Sequence, residues 1–448
     1  MATARPVPPR KLPRGSHALD PEAVARDQRR RLQEAIVHVA ATRGYANITV
    51  NDVSLAASVS RNTFHQRFDD LQACLTAAWE ATVTDAIQAA QGLQASRQTP
   101  PDSVRAALQR VLRALTSAVI ARPDHARLVI VEVLSIGRQG PIYRRRLARH
   151  LEALLTEEIQ AVTAAETLSA SSVTIIANGA LQVLDQRLRT GKIRQLRVLA
   201  DDIAAWGACY ETTTPLPAHR ALGESRAAPL LPDSPRLPHG HKRLPRSFVD
   251  RYQRKRILRA VVTLTAAHGY AGVTVPAIVA TARISTRTFY ENFADKHEAF
   301  LATYDNAFAR LFEASWAAAM LQRDGWSAAV SDGVSAWIEH QAADPLTARF
   351  VLNDVLTAGP AAAPKIDESY RAFAQLLDHG FDHLAADKPP AITSYAVMAG
   401  VAGLACDWVL AGRSHALAEL APDLCYAALA PFVGDTPARH AAQQIQAA

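Results

Sequence analysis

Apolar positions recur along most of this chain at the 3.6-residue spacing of amphipathic helices. Leu32, Ile36 and Val39 make one apolar face within residues 22–43, and Ile257, Val261 and Leu264 make the same face 225 residues later. Each face ends at a Gly-Tyr pair, Gly44-Tyr45 and Gly269-Tyr270, where glycine serves as a helix stop. A different texture follows at Thr49–Leu71 and Thr274–Lys296. Thr49 and Thr274 are placed to cap a short helix, and Pro276 suits the first turn of the second copy. Ser60 and Ser285 are placed to cap another helix, whose Phe64 and Phe68, or Phe289 and Phe293, lie one turn apart and face inward. Two short helices joined by a tight turn, with polar residues opening the second, predict a helix-turn-helix that reads DNA.

The shift of 225 takes Thr49 to Thr274, Ser60 to Ser285, Thr63 to Thr288, Phe64 to Phe289 and Phe68 to Phe293 without a gap. Beyond the motifs, helical stretches are predicted near 70–92, 101–121, 123–137, 141–166, 169–190 and 193–211. They recur near 295–318, 326–343, 345–358, 362–386, 391–411 and 415–432. Ala126-Arg127 and Gly137 match Ala348-Arg349 and Gly359 at a shift of 222, so three residues are lost between the copies. The chain is thus read as all-α and doubled end to end. Its predicted organisation is a basic arm (1–20), a first helix-turn-helix domain (21–70), a helical regulatory and dimerisation domain (71–211) and a Pro-rich linker (212–246). A second helix-turn-helix domain (247–295), a second helical domain that binds ligand and dimerises (296–435) and a tail (436–448) follow.

The run of Gly-Tyr, Thr-Val, a short turn, Ser, Thr-Phe-Tyr, Phe, Asp and Lys over Gly269–Lys296 resembles the DNA-binding domain of the TetR family of transcriptional repressors. The first copy resembles it too, with His65 where the family has Tyr and Leu71 where it has Lys. Neither turn carries the family's usual Gly: they read Ala57-Ser58-Val59 and Ala282-Arg283-Ile284. The resemblance implies two TetR-like repeats, each a three-helix helix-turn-helix domain plus a helical bundle. It also implies repression, release by a small inducer, and a four-helix bundle built from the last two helices of each repeat.

The base-reading candidates are Arg61, Asn62 and Thr63, with Thr286, Arg287 and Thr288 in the second copy. Arg can fork onto guanine, Asn onto adenine, and Thr can meet a thymine methyl. Ser60, His65 and Arg67, then Ser285, Tyr290 and Lys296, are the candidates for phosphate, with the caps Thr49 and Thr274 beside them. Arg26, Arg29, Arg30 and Arg31 crowd the start of the first apolar helix, and Arg251, Arg254, Lys255 and Arg256 the start of its counterpart, which places them near a DNA backbone. The two reading sets differ, so the operator is expected to be asymmetric. The linker's reach as a flexible coil, about 30 Å, matches the ~34 Å between adjacent half-sites. The expected assembly is therefore a monomeric pseudo-dimer, with a homodimer as the alternative.

Over 448 residues, 49% hydrophobic and 20% charged, the chain has material for several packed cores, and its net charge of +7 favours an anionic partner such as double-stranded DNA. Cys74, Cys209, Cys406 and Cys425 have neither CxxC nor zinc spacing and read as reduced thiols in a cytoplasmic protein. Ser394–Gly412 is nearly uncharged over a membrane-like length, but its small residues and Asp407 predict a buried helix, so no membrane is expected. Aromatic residues crowd the second copy. Trp316, Trp337, Phe350, Phe373, Tyr395 and Trp408 are therefore the candidates to line a site for an unknown small-molecule effector. His379 and His383, four apart, form no expected metal site beside Gly380, and no cofactor is expected. Glycine-rich phosphate loops and nucleophile elbows are missing from the sequence, so catalysis is not expected. The alternatives are an architectural DNA-binding protein without inducer, and a regulator whose first helix-turn-helix no longer binds DNA.

Overall fold

The computed structural model describes residues 20–95, 99–162, 167–211, 227–233, 244–321, 325–359, 362–382, 384 and 388–447; all regular elements among them are helical. The first half contains α1 (Pro21–Arg43), α2 (Val50–Ala56), α3 (Arg61–Arg67), α4 (Leu71–Ala95), α5 (Val104–Ala121), α6 (Pro123–Ile130), α7 (Gly140–Gln160), α8 (Ala170–Arg189) and α9 (Leu196–Ala208). The second half repeats that order as α10 (Arg246–Gly272), α11 (Val275–Ala282), α12 (Thr286–Asn292), α13 (Lys296–Leu321), α14 (Trp326–Ala343), α15 (Pro345–Leu352), α16 (Ala362–Asp378), α17 (Thr393–Leu410) and α18 (Ala421–Val433). A further helix, α19 (Asp435–Ala447), follows. The third and twelfth helices begin at Arg61 and Thr286, 225 apart, whereas α5 and α14 begin at Val104 and Trp326, 222 apart.

Local sequence explains the boundaries. Asp20 accepts from the Glu22 N–H and Pro21 opens α1, while Leu32, Ile36 and Val39 bury its apolar face. Gly44 closes it at φ +79°, and Gly269 breaks α10 at φ +71°, a conformation that glycine adopts without a Cβ penalty. The predicted helices near 123–137 and 345–358 are shorter, ending at Ile130 and Leu352 and passing into 3-10 turns. The stretch 362–386 likewise ends as α-helix at Asp378; His379 stands in a 3-10 turn, and His383 lies outside the described residues. The tail expected at 436–448 is instead helical over Asp435–Ala447 because its small apolar positions, Ala438 and Ala442, are fully buried.

The two halves meet along α8 and α17. Small residues let the backbones approach: a Cβ on Gly179 would stand 2.6 Å from the Ala396 carbonyl, and one on Gly400 would strike the Ile175 carbonyl. Tyr210, just past α9, donates its hydroxyl to the Ala427 carbonyl of α18 at 2.9 Å. Half-buried ion pairs cross the same seam. Arg189 of α8 donates to both Asp367 oxygens of α16 at 2.9 and 3.0 Å, and Arg145 of α7 lies 2.7 Å from Asp407 of α17. The expected buried helix at 394–412 is thus α17. It and the 414–433 segment are long and apolar enough to cross a membrane, yet 72% and 89% of their residues are covered by neighbouring helices.

The linker differs from expectation in its middle. Leu230 and Leu231 are buried, the Leu231 N–H donates to Asp344, and Arg310 donates to the Leu230 carbonyl at 2.7 Å. The segment 227–233 is therefore anchored on the second half at its centre, where two adjacent leucines are buried, while the residues flanking them stay exposed. Residues 1–19, 212–226 and 234–243, which include most of the expected basic arm and the ends of the linker, lie outside the described residues.

Candidate nucleic-acid interface

Each helix-turn-helix is built from the same small set of contacts. Thr49 accepts from the Asp52 N–H while Asp52 accepts from the Thr49 N–H, a reciprocal capping box that opens α2. Thr274 accepts from the Ala277 N–H, and Pro276 fills the first turn of α11. The turn that follows uses a left-handed residue, Ser58 at φ +53° and Arg283 at φ +49°. Directly afterwards Val59 N–H donates to the Ser54 carbonyl and Ile284 N–H to the Val279 carbonyl, the six-to-one bond of a Schellman stop. These are the positions of the glycine that the sequence lacks, so both modules hold a non-glycine residue where glycine is easiest.

The reading helices open identically. Ser60 accepts from the Thr63 N–H at 3.0 Å and Ser285 from the Thr288 N–H at 3.0 Å, with the paired hydroxyls 2.9 Å apart in each. Phe64 and Phe289 are fully buried, which turns the opposite face of α3 and α12 outward. Arg61, Asn62 and His65 are exposed on that face, as are Thr286, Arg287 and Tyr290; Thr63 and Thr288 are half-buried. His65 and Tyr290 take equivalent places, each with its ring edge-on to the preceding Phe at 5.4 Å. Phe68 and Phe293 are buried as expected but leave the helix: both are extended, at φ −143° and −147°, and serve as the cap.

Several basic residues expected at the DNA backbone are engaged within the protein. Arg29 and Arg254 lie over the Phe68 and Phe293 rings at 4.4 and 4.2 Å and donate to the carbonyls of Arg67 and Asn292. They tie the end of the reading helix to the helix behind it, because a guanidinium satisfies an open carbonyl and stacks on a ring at once. Arg30 and Arg31 pair with Asp27, and Arg26 with Asp20 and Glu22. Arg67 is half-buried and donates to Gln28. Lys296 directs its ammonium to the Val273 carbonyl at 2.9 Å and over the Tyr270 ring. Leu71, its counterpart, packs against the first core instead.

Two contacts that the sequence did not disclose fix each module to the body of the molecule. Buried Glu132 accepts from the Tyr45 N–H at 2.9 Å and from Arg127 at 3.0 Å, joining the segment after α6 to the connector after α1. Arg138 of the first half donates to the Ala267 carbonyl of α10 at 3.1 Å, reaching across to the second module. The one available signal was the repetition of Arg127 and Gly137 at Arg349 and Gly359.

The effector candidates do not enclose a sizeable space. Phe350 is fully buried against Phe300, Trp316 stacks on Phe312, Tyr395 donates to Asp367, and Trp408 lies under Arg413. Only Trp337 and Phe373 of the six border the cavity of the second half, which holds about 30 Å³. A cavity of about 880 Å³ lies instead in the first half, between α4, α5, α6 and α7, with mostly apolar walls and Arg110, Arg113 and His150 among its polar lining. The aromatic richness of the second half therefore reflects core packing, since large rings fill space that smaller side chains leave open.

No curated protein sequence matches the chain. Among solved structures it is similar to the transcriptional regulator FadR from Bacillus subtilis in complex with stearoyl-CoA, at 14% identity and a TM-score of 0.35, covering 39% of this chain and 97% of that one. The fatty acid degradation regulator FadR from Bacillus halodurans gives 13%, 0.34, 40% and 94% for the same measures. A TetR-like transcriptional regulator from Rhodococcus sp. RHA1 gives 15%, 0.31, 44% and 98%. Over residues 257–303, which run from α10 through α11 and α12 into α13, the chain matches the family described as bacterial regulatory proteins, tetR family.

Proposed function

We propose that the protein is a sequence-specific DNA-binding transcriptional regulator acting as a covalent pseudo-dimer on an asymmetric operator, from which a small, mainly apolar ligand releases it. The observation that carries this reading is the pair of reading helices. Each has a Ser cap, an exposed polar first turn and a buried Phe, and one of them lies within the family match. The close crossing of α8 and α17 supports pairing within one chain, and the unlike residues Arg61-Asn62 and Thr286-Arg287 support an asymmetric operator.

Selection of bound sequences from random DNA with the purified full chain tests it. The expected product is a site with two unlike half-sites, bound at least about 10³-fold more tightly than random DNA. Binding without that preference would favour an architectural protein, and a perfect inverted repeat would overturn the asymmetry. Arg61→Ala with Asn62→Ala is expected to weaken operator binding. Unchanged affinity would mean that the first module serves only as a partner for the second.

A further inference from the structure

We infer that the chain carries one effector site, in the first half alone, and that the corresponding place in the second half is permanently filled by its own side chains. This deepens the ligand control proposed above and rests on it only for its regulatory meaning. The cavity of about 880 Å³ falls within the range, about 300–1,000 Å³, of pockets that bury a drug-sized molecule. The second half has a cavity in the matching place, between the matching helices, of about 30 Å³.

The register of the two halves shows what closes it. Val83 and Leu151 border the large cavity, and Phe308 and Phe373 stand at the same positions in α13 and α16. Leu115 on α5 is matched by Trp337 on α14. Ile87 is matched by Phe312, whose ring packs edge-on against Phe373 at 5.2 Å. Four aliphatic side chains are thus exchanged for four rings, of which Phe308, Phe312 and Phe373 contact one another and Trp337 borders the small cavity that remains. The three half-buried phenylalanines hold one another in place, beside the buried Trp337, so the closure is packed rather than gated. The polar part of the lining changes as well: Arg110, Arg113 and His150 stand where the second half has Asp332, Ser335 and Ala372. Neither the volume nor the chemistry of the first site persists in the second. The ligand class that suits the first site is a mainly apolar small molecule, uncharged along its buried length.

N-phenyl-1-naphthylamine, an uncharged apolar fluorophore, is the probe. Titrated into the full chain, it is expected to saturate at one molecule per chain. Val83→Phe combined with Leu151→Phe copies the filling of the second half and is expected to abolish binding. Phe308→Val combined with Phe373→Leu is expected to raise the stoichiometry to two. Hydrogen exchange on the unsubstituted chain needs no variant: saturation is expected to protect α5 and α7 and to leave α14 and α16 unchanged. Two probes per unsubstituted chain, none at all, or equal protection in both halves would overturn the inference. None of these measurements needs DNA. A chain that binds one probe but no specific DNA would remove the regulator reading and leave the single site standing.

Discussion

Arg283 and Ser58 show what a single residue contributes. Both hold a left-handed backbone in which a Cβ crowds the chain, at a cost of about 1–2 kcal/mol relative to glycine, partly offset by the greater freedom of glycine in the unfolded chain. Arg283→Gly is expected to stabilise the chain by about 0.5–1 kcal/mol, read as a rise in melting temperature, and Ser58→Gly by a similar amount. Arg287 presents the opposite case. Its side chain is 86% exposed and pairs with Glu291 one turn on, a surface pair worth about 0.3–0.5 kcal/mol. Arg287→Ala should therefore leave the melting temperature nearly unchanged. It should weaken operator binding by about 1–3 kcal/mol and relax the base preference at one position, as a binding titration against single-base variants would show.

At the scale of elements, the crossing of α8 and α17 rests on glycine. Gly179→Ala would push a methyl against the Ala396 carbonyl and the Trp206 ring, neither of which can yield without moving a helix. An overpacked contact of this kind costs about 1–3 kcal/mol, measurable by denaturant unfolding. A second element-scale effect depends on pH. Glu152 of α7 has its pKa pushed up to about 7, first by burial and then by the neighbouring Asp407 of α17, with Arg149 and Arg145 acting against the shift. The folded chain then holds a proton at Glu152 that the unfolded chain has released, so this group favours folding at low pH. That contribution is lost as pH rises from about 4.5 to about 7 and is flat above. Between about pH 4.5 and 7 the parent chain should lose stability that Glu152→Gln does not lose, and above pH 8 the two unfolding profiles should run parallel.

For the whole molecule, the proposed pairing within one chain makes a prediction about assembly. The α8–α17 seam and the ion pairs Arg189–Asp367 and Arg145–Asp407 join helices that belong to different halves of one chain. Sedimentation is expected to show a particle of one chain, 48.4 kDa, alone and on its operator. An obligate dimer of whole chains would count against pairing within the chain. Two unlike modules on one scaffold also imply one orientation on DNA, so exchanging the two half-sites should leave affinity intact, whereas duplicating either should lower it.

Much of this was legible in the amino-acid order. The helical class, the two helix-turn-helix segments, their Ser caps and their buried Phe residues are local features. Each depends on residues within four positions of one another, and spacing alone reveals them. The helix around 394–412 was equally plain, because its small apolar residues carry a single charge, Asp407, and suit close packing against another helix. Other features joined residues far apart. The stacking of Arg29 and Arg254 on Phe68 and Phe293 was not legible, since a charge pattern does not say which neighbour it will meet. The docking of Leu230 and Leu231 was hidden by the prolines around them.

Caps, stops and apolar periodicity act over single turns, so most helices and their order follow from neighbouring residues alone. Where space remains depends on contacts between helices far apart in the chain. An aromatic side chain lines a pocket or fills one according to the partners it meets across helices, and the rings at Phe308, Phe312 and Phe373 meet one another. The cavity therefore lies in the half with fewer aromatic residues, where Val83, Ile87, Leu115 and Leu151 are too small to close it.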